Sequence, residues 1–258
     1  MSYALITGGS KGIGKAIAMQ LASRKYDILL VARNEKDLQT TAAEISALYQ
    51  INVKYLSVDL SNTAAAETVF QWCKTENFTV QILVNNAGYG IAGRFENAAL
   101  SEHLNMLQVN IISLVSLTHQ FIPLLKMQEQ SYLLNVASSS AYQSTPGIAL
   151  YAASKALVLN FSRSLSIELA DTPVSVTCVC PGGTDTTFVQ RARVGQKALK
   201  LADKVNMQPK EVAAIAVKGM FAGKTEVVTG GLNKLGVFLA WLLPKKLIEK
   251  SAGKIYEI

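Results

Sequence analysis

The sequence predicts an α/β fold: a doubly wound parallel β-sheet of about seven strands with helices on both faces. Three observations carry that expectation. Short continuous apolar runs, such as Tyr26 to Ala32 (YDILLVA), read as strands buried on both faces. Stretches with helical spacing of apolar residues separate them, so strand and helix alternate along the chain. The first strand also meets its helix through a glycine-rich turn, Thr7-Gly8-Gly9-Ser10-Lys11-Gly12-Ile13-Gly14.

Tyr3 to Ile6 is the first strand, and the helix after its turn puts Ile13, Ile17 and Leu21 on one face. Tyr26 to Ala32 is the second strand, followed by a helix from Asn34 to Gln50. Val53 to Val58 is the third, with a helix from Thr63 to Thr75, and Val80 to Val84 is the fourth. A long helical stretch from Ser101 to Lys126 is interrupted at Pro123, which lacks an N–H. Tyr132 to Val136, a helix from Leu150 to Leu169, and the strand Val174 to Val179 come next. Residues 183–206 are less regular and read as a substrate flap. Pro209 suits a helix start, here a helix to Phe221, and Glu226 to Thr229 is the last strand. With no repeats or linkers, residues 1–258 form one domain, and 232–258 extend it.

A hydrophobic fraction of 50% and a charged fraction of 17% belong to a globular chain rather than a disordered one. Met1 to Tyr3 lead straight into the first strand, without a signal-peptide pattern. No apolar run reaches the ~18 residues of a membrane span. Three cysteines without secretory context point to a reduced cytoplasmic setting, and Cys178 and Cys180 alternate on one strand as core residues. The net charge is +7. Its lysines and arginines are dispersed, which argues for solvated faces and an anionic cofactor rather than nucleic acid. The two histidines, His103 and His119, share one helical stretch, so neither a Ser–His–Asp triad nor a histidine metal site fits.

Chemistry gathers at a few stretches. A strand, a glycine turn and a helix start form a phosphate site: glycine lets the backbone approach the anion, and free N–H groups point at it. Val58-Asp59-Leu60 and Asn85-Asn86-Ala87-Gly88 end the third and fourth strands. Ligands of a doubly wound sheet bind at that edge. Asp59 there is either an acceptor for an adenine amino group or a turn aspartate. Tyr151 and Lys155 are spaced i, i+4 on one helix face. A cation within ~4–6 Å favours the phenolate and lowers a tyrosine pKa by ~1–3 units, toward proton transfer near neutral pH. Tyr142 lacks such a partner, since Pro146 stands four residues on.

Together these stretches resemble the short-chain dehydrogenase/reductase family, of the single-domain Rossmann-like type, from Tyr3 to about Thr187. The likeness rests on Thr7-Gly8-x-x-x-Gly12-x-Gly14, Asp59, Asn85-Asn86-Ala87-Gly88, Asn110, Ser138, Tyr151-x-x-x-Lys155 and Pro181-Gly182-x-x-x-Thr186. It implies an enzyme in which Tyr151 is the general acid for carbonyl reduction or the base for alcohol oxidation. Lys155 would tune that tyrosine and hold the nicotinamide ribose, and Ser138 would hydrogen-bond the substrate oxygen. Asn110 would bend its helix and hold a water that links Lys155 to solvent. The dinucleotide would run along Gly8, Ser10, Lys11, Gly12, Ile13 and Gly14, then Arg33, Asp59, Leu60, Asn86, Ala87 and Gly88. Pro181, Gly182, Thr184 and Thr186 would meet its nicotinamide amide and diphosphate.

An NAD site wants a carboxylate at the end of the second strand. The sequence there is Val31-Ala32-Arg33-Asn34. Arg33 suits bidentate contact with a 2′-phosphate, and Lys11 adds a second charge, so the expected cofactor is NADP(H) rather than NAD(H). Ile91, Ile148, Phe188 and Val189 would line an apolar pocket for a hydrophobic ketone, a ketoacyl group or a hydroxysteroid-like alcohol. The rival readings are an NAD-dependent alcohol dehydrogenase and a non-catalytic NADP(H)-binding regulator. The extension carries Leu235 to Leu243 (LGVFLAWLL), then Pro244-Lys245-Lys246 and a final helix. It packs on the domain's core or on a partner subunit, walls the substrate pocket, or, the least favoured reading, touches a membrane surface through Lys245, Lys246 and Lys250. The oligomer is a homodimer or a homotetramer.

Overall fold

A computed structural model describes residues 2–185, 192 and 206–255. Seven parallel strands form one sheet in the order β3-β2-β1-β4-β5-β6-β7. They are β1 (Tyr3–Thr7), β2 (Asp27–Ala32), β3 (Val53–Ser57), β4 (Val80–Asn85), β5 (Ser131–Val136), β6 (Val174–Cys180) and β7 (Glu226–Val228). The expected strands all appear, with ends shifted by at most one residue. The strand order reverses between β1 and β4, which opens a crevice at their carboxyl ends.

Alternation along the buried strands splits the core into two layers. Ala4 and Ile6 of β1 and Ile28 and Leu30 of β2 face α1 (Gly12–Ala22), α2 (Glu35–Tyr49) and α7 (Pro209–Phe221). Leu5, Leu29 and Val31 face α3 (Ala65–Thr75), α5 (Ser113–Lys126) and α6 (Ala149–Glu168). Cys178 and Cys180 are fully buried in a third cluster with Leu114, Val158 and Leu159.

The long helical stretch departs from expectation in two ways. Pro123 does not interrupt it, since α5 continues to Lys126. Pro123 and His119 are on the solvent side, so the carbonyl that loses its partner faces water, while Phe121 and Leu125 anchor the other face. Between α4 (Leu100–Leu107) and α5, Gln108–Ile112 form a π-helical turn. By length and mean hydropathy the helical stretch Leu100–Lys126 would suffice to cross a bilayer, although polar residues interrupt it throughout and it holds no apolar run of that length. Its buried Leu117, Phe121 and Leu125 pack on the sheet instead, which makes it a core helix.

The extension forms α8 (Gly231–Leu242) and α9 (Lys245–Ile255), separated by Pro244. No residue of α8 is buried, so its leucines are not part of the domain's own core.

Candidate active site

The glycine turn sits at the crevice between β1 and β4. Gly8 and Gly12 adopt φ values of +64° and +56°, the left-handed region where glycine is unstrained. At Gly14 a Cβ would lie 2.3 Å from the Gly8 carbonyl and 2.4 Å from Asn86 Nδ2. The turn is therefore laced to the end of β4. Asn86 Nδ2 donates to the Thr7 and Gly8 carbonyls at 2.9 and 3.2 Å. Thr7 Oγ1 accepts from the backbone N–H groups of Asn86 and Ala87, each at 3.0 Å. The result is a rigid cradle at the N-terminus of α1, the geometry that suits a pyrophosphate.

At one end of the crevice, past β2, Arg33 and Asp59 face each other across 3.8 Å, both about half exposed. Asp59 Oδ1 also accepts from the Ser61 N–H at 3.0 Å, so the aspartate does close a turn. Lys11 is paired as well, at 2.8 Å from Asp37 on the first turn of α2. Both cations expected at a 2′-phosphate thus have an acid within reach. Exposed pairs of this kind are worth ~0–1 kcal/mol and yield to a doubly charged phosphate.

At the other end lie the residues with reactive chemistry. Tyr151 and Lys155 emerge from the first two turns of α6, with the Lys155 Nζ 5.8 Å from the Tyr151 ring centroid. The Lys155 ammonium is buried and donates to the Val136 carbonyl at the end of β5 over 2.9 Å. Burial pushes its pKa down to about 8, against a smaller opposing pull from Cys178 and Cys180 on the neighbouring strand. Ser138 stands two residues past Val136. Its Oγ accepts from the Ser140 N–H at 3.1 Å and lies 3.0 Å from Ser140 Oγ, which leaves its own O–H to donate. The Ser139 N–H donates to the Pro181 carbonyl at 2.7 Å and draws the end of β6 alongside.

Asn110 occupies the π-helical turn and is fully buried. Its Oδ1 accepts from the Tyr89 N–H at 3.0 Å, and its Nδ2 donates to the Tyr89 carbonyl at 2.9 Å and to Ser154 Oγ at 3.2 Å. A π-helical turn stands at Asn110, where the resemblance implies a bend. The carboxamide ties the segment after β4 to α6. Gly88 explains the closeness: a Cβ there would be 3.1 Å from Asn110 Oδ1 and 3.2 Å from Lys155 Nζ.

Contrary to expectation Tyr142 also has a cation beside it, the Arg163 guanidinium 5.9 Å from its ring centroid, supplied from 21 residues on rather than from the next helical turn. Its hydroxyl donates to Glu226 at 2.5 Å, and Glu226 also pairs with Arg163. Burial, Cys180 and the Glu226 carboxylate all push its pKa up, which keeps the phenol neutral. It is a fastener between the 139–142 turn and β7.

A cleft of about 1640 Å³ connects both ends. Its wall includes Gly8, Ser10, Lys11, Gly12, Ile13, Arg33, Asp59, Leu60, Asn86, Ala87, Gly88, Ser138, Ile148, Tyr151, Lys155, Pro181, Gly182 and Thr184. Gly14 and Asn110 lie behind that wall. Ile91 packs with Met106, Ile148 and Tyr151 and lines a smaller neighbouring pocket, with Phe95 and His103. Thr186, Phe188 and Val189 lie outside the described residues, as does most of the expected flap. Ala192 of that flap is described: it is buried on the cleft wall, and its carbonyl accepts from the Ala92 N–H at 2.8 Å.

Sequence reasoning missed Asn206, Asn233 and Ala252, which reach the cleft from beyond the flap and from the extension. The available signal was Gly182-Gly183. A Cβ at Gly182 would be 2.1 Å from Asn233, and one at Gly183 would be 2.2 Å from Asn206 Oδ1. A second omission is Asn135, which with Asn85 bridges β4 and β5 at 3.0 Å and reaches Ser162 on α6 at 2.9 Å.

A glycine cradle at a helix start, a long cleft, and a buried cation beside a tyrosine and a serine together fit a dinucleotide and a reacting oxygen. Comparison with known proteins agrees. Residues 2–197 match the family model for short chain dehydrogenase. An uncharacterized oxidoreductase of Staphylococcus aureus is 29% identical over 210 residues, which are 81% of this chain and 87% of the relative. A solved structure from work on 7β-hydroxysteroid dehydrogenase stereoselectivity superposes with a TM-score of 0.87 at 25% identity, covering 98% of this chain and 96% of the other. A short-chain dehydrogenase from Sphingobium yanoikuyae in complex with NADPH gives a TM-score of 0.83 at 27% identity, covering 100% and 96%.

Proposed function

The chain belongs to the short-chain dehydrogenase family and is an oxidoreductase, and from that premise we propose that it is an NADP(H)-dependent reductase of apolar ketones. The observation that carries the reading is the convergence of Ser138, Tyr151 and Lys155 on one stretch of the cleft wall. The nicotinamide supplies hydride chemistry when bound. The chain's own groups handle the oxygen and the proton. Ser138 donates its O–H to the substrate carbonyl and steadies the charge that develops there. Tyr151 gives the proton to that oxygen, or takes it in the reverse direction. Lys155, held on Val136, favours the phenolate between turnovers and resupplies the proton.

Arg33 and Lys11 support the preference for the phosphorylated cofactor, since no carboxylate stands at the end of β2 where an NAD ribose would need one. The likeness to a structure of 7β-hydroxysteroid dehydrogenase work, together with Ile148 beside Tyr151, supports a hydrophobic, hydroxysteroid-sized substrate. Three free, buried cysteines accord with a reducing cytoplasmic compartment. The test is a parallel titration with NADPH and NADH, followed by a ketone screen with the tighter cofactor. Preference for NADPH of tenfold or more, ~1.4 kcal/mol, is expected. Equal or tighter NADH binding would remove the phosphate assignment.

A further inference from the structure

The outer face of the extension has no role in the site just described. Leu232, Leu235, Leu239 and Leu242 follow helical spacing along α8 and are 69%, 53%, 36% and 58% exposed. Phe238 flanks them at 53%, and Trp241 stands out at 80% with its ring 6.2 Å from that of Phe238. The opposite side of the same helix, through Asn233, Val237 and Ala240, is half-buried. Soluble surfaces scatter single apolar residues, whereas this is a contiguous row.

The charge around the row is predominantly positive. Residues 231–255 contain five lysines and one acid, Glu249. Lys246, Lys250 and Lys254 recur at i, i+4 and i+8 and form an exposed stripe along α9 beside Leu247. A second copy placed on this face with the two-fold axis at α9 would bring lysine stripe toward lysine stripe. An anionic lipid surface complements both features, with leucines and aromatics in the interface and ammonium groups among the headgroups.

We propose that α8 and α9 form a docking face for anionic membrane lipid. Leu235, Phe238, Leu239 and Trp241 enter the interfacial layer, and Lys246 and Lys250 meet phosphate headgroups. Asn233 and Ala252 belong to the same two helices and line the cleft from their inner side. Each of the two helices therefore contributes to the cleft wall and to the exposed face.

Vesicle flotation tests this with the full chain, using phosphatidylcholine vesicles with and without phosphatidylglycerol. A Trp72→Phe background makes Trp241 the sole tryptophan, whose emission reports immersion directly. The expected result is partition at least tenfold stronger onto the anionic vesicles, with a blue shift of Trp241. Lys246→Glu with Lys250→Glu should abolish the anionic preference, and Leu239→Ser with Phe238→Ser should abolish binding. Both variants should keep NADPH affinity, which shows that they fold. Equal partition onto both vesicle types, or none onto either, overturns the proposal. A stable dimer that becomes monomeric on Leu239→Lys, without vesicle binding, would give the face to a second copy instead.

Discussion

The buried Lys155 ammonium donates to the Val136 carbonyl over 2.9 Å, and this bond joins the helix that carries Tyr151 to the strand that leads into Ser138. One contact therefore fixes the cation relative to both partners. It also places the charge where little water can reach it.

That burial makes a prediction for stability against pH. Lys155 is pushed down to about 8 in the folded protein, against ~10.4 when unfolded. Between those values the unfolded chain holds a proton that the folded chain has released. Stability of the cofactor-free protein should therefore rise with pH across roughly pH 8 to 10.4 through this group. The unfavourable contribution is fully present below about 8. Urea unfolding of wild type and Lys155→Met over this range should show the rise in wild type and its loss in the variant.

Gly14→Ala should reach the cofactor through packing. The added Cβ would press on the Gly8 carbonyl and Asn86 Nδ2, neither of which can withdraw without opening the turn. A loss of ~1–3 kcal/mol in stability is expected, accompanied by weaker dinucleotide binding. Thermal unfolding and an NADPH titration of the same variant check both.

Tyr142→Phe should separate the two tyrosines of this region. The variant loses the hydrogen bond to Glu226, while Arg163 still satisfies that carboxylate. Stability should fall by ~1–2 kcal/mol and turnover should stay near wild type. A turnover loss like that of a Tyr151 variant would give Tyr142 a part in the chemistry.

The strands and the glycine cradle were legible in the sequence because burial on both faces and left-handed backbone leave local marks, as at Ile28–Val31 and Gly8. Tyr151 and Lys155 were legible for the same reason: their meeting is a matter of helical spacing. Asn233 and Asn206 were not. Their approach to the cleft depends on long-range packing against Gly182 and Gly183, and an isolated asparagine carries no periodic signal. The π turn at Asn110 was not legible as such, and the two hydrogen bonds that hold its carboxamide to Tyr89 span 21 residues. Pro123 misled because the strength of a helix breaker depends on which way its missing donor faces.

Arg33→Ala should weaken NADPH by about tenfold to a hundredfold while leaving NADH nearly unchanged, the loss expected for a charge-assisted contact to a phosphate. Asp59→Asn, which frees Arg33 from its acid, should tighten NADPH slightly. Fluorescence titrations give both ratios. Equal losses for the two cofactors in Arg33→Ala would place the phosphate elsewhere.

The most direct measurement is steady-state consumption of NADPH with an apolar ketone, run side by side with NADPH binding, for wild type and Tyr151→Phe. Tyr151→Phe should bind NADPH as wild type does and lose ~10²–10⁴-fold in kcat, the weight of a positioned proton donor. A variant that keeps most of its rate would contradict the assignment of Tyr151 as the group that moves the proton.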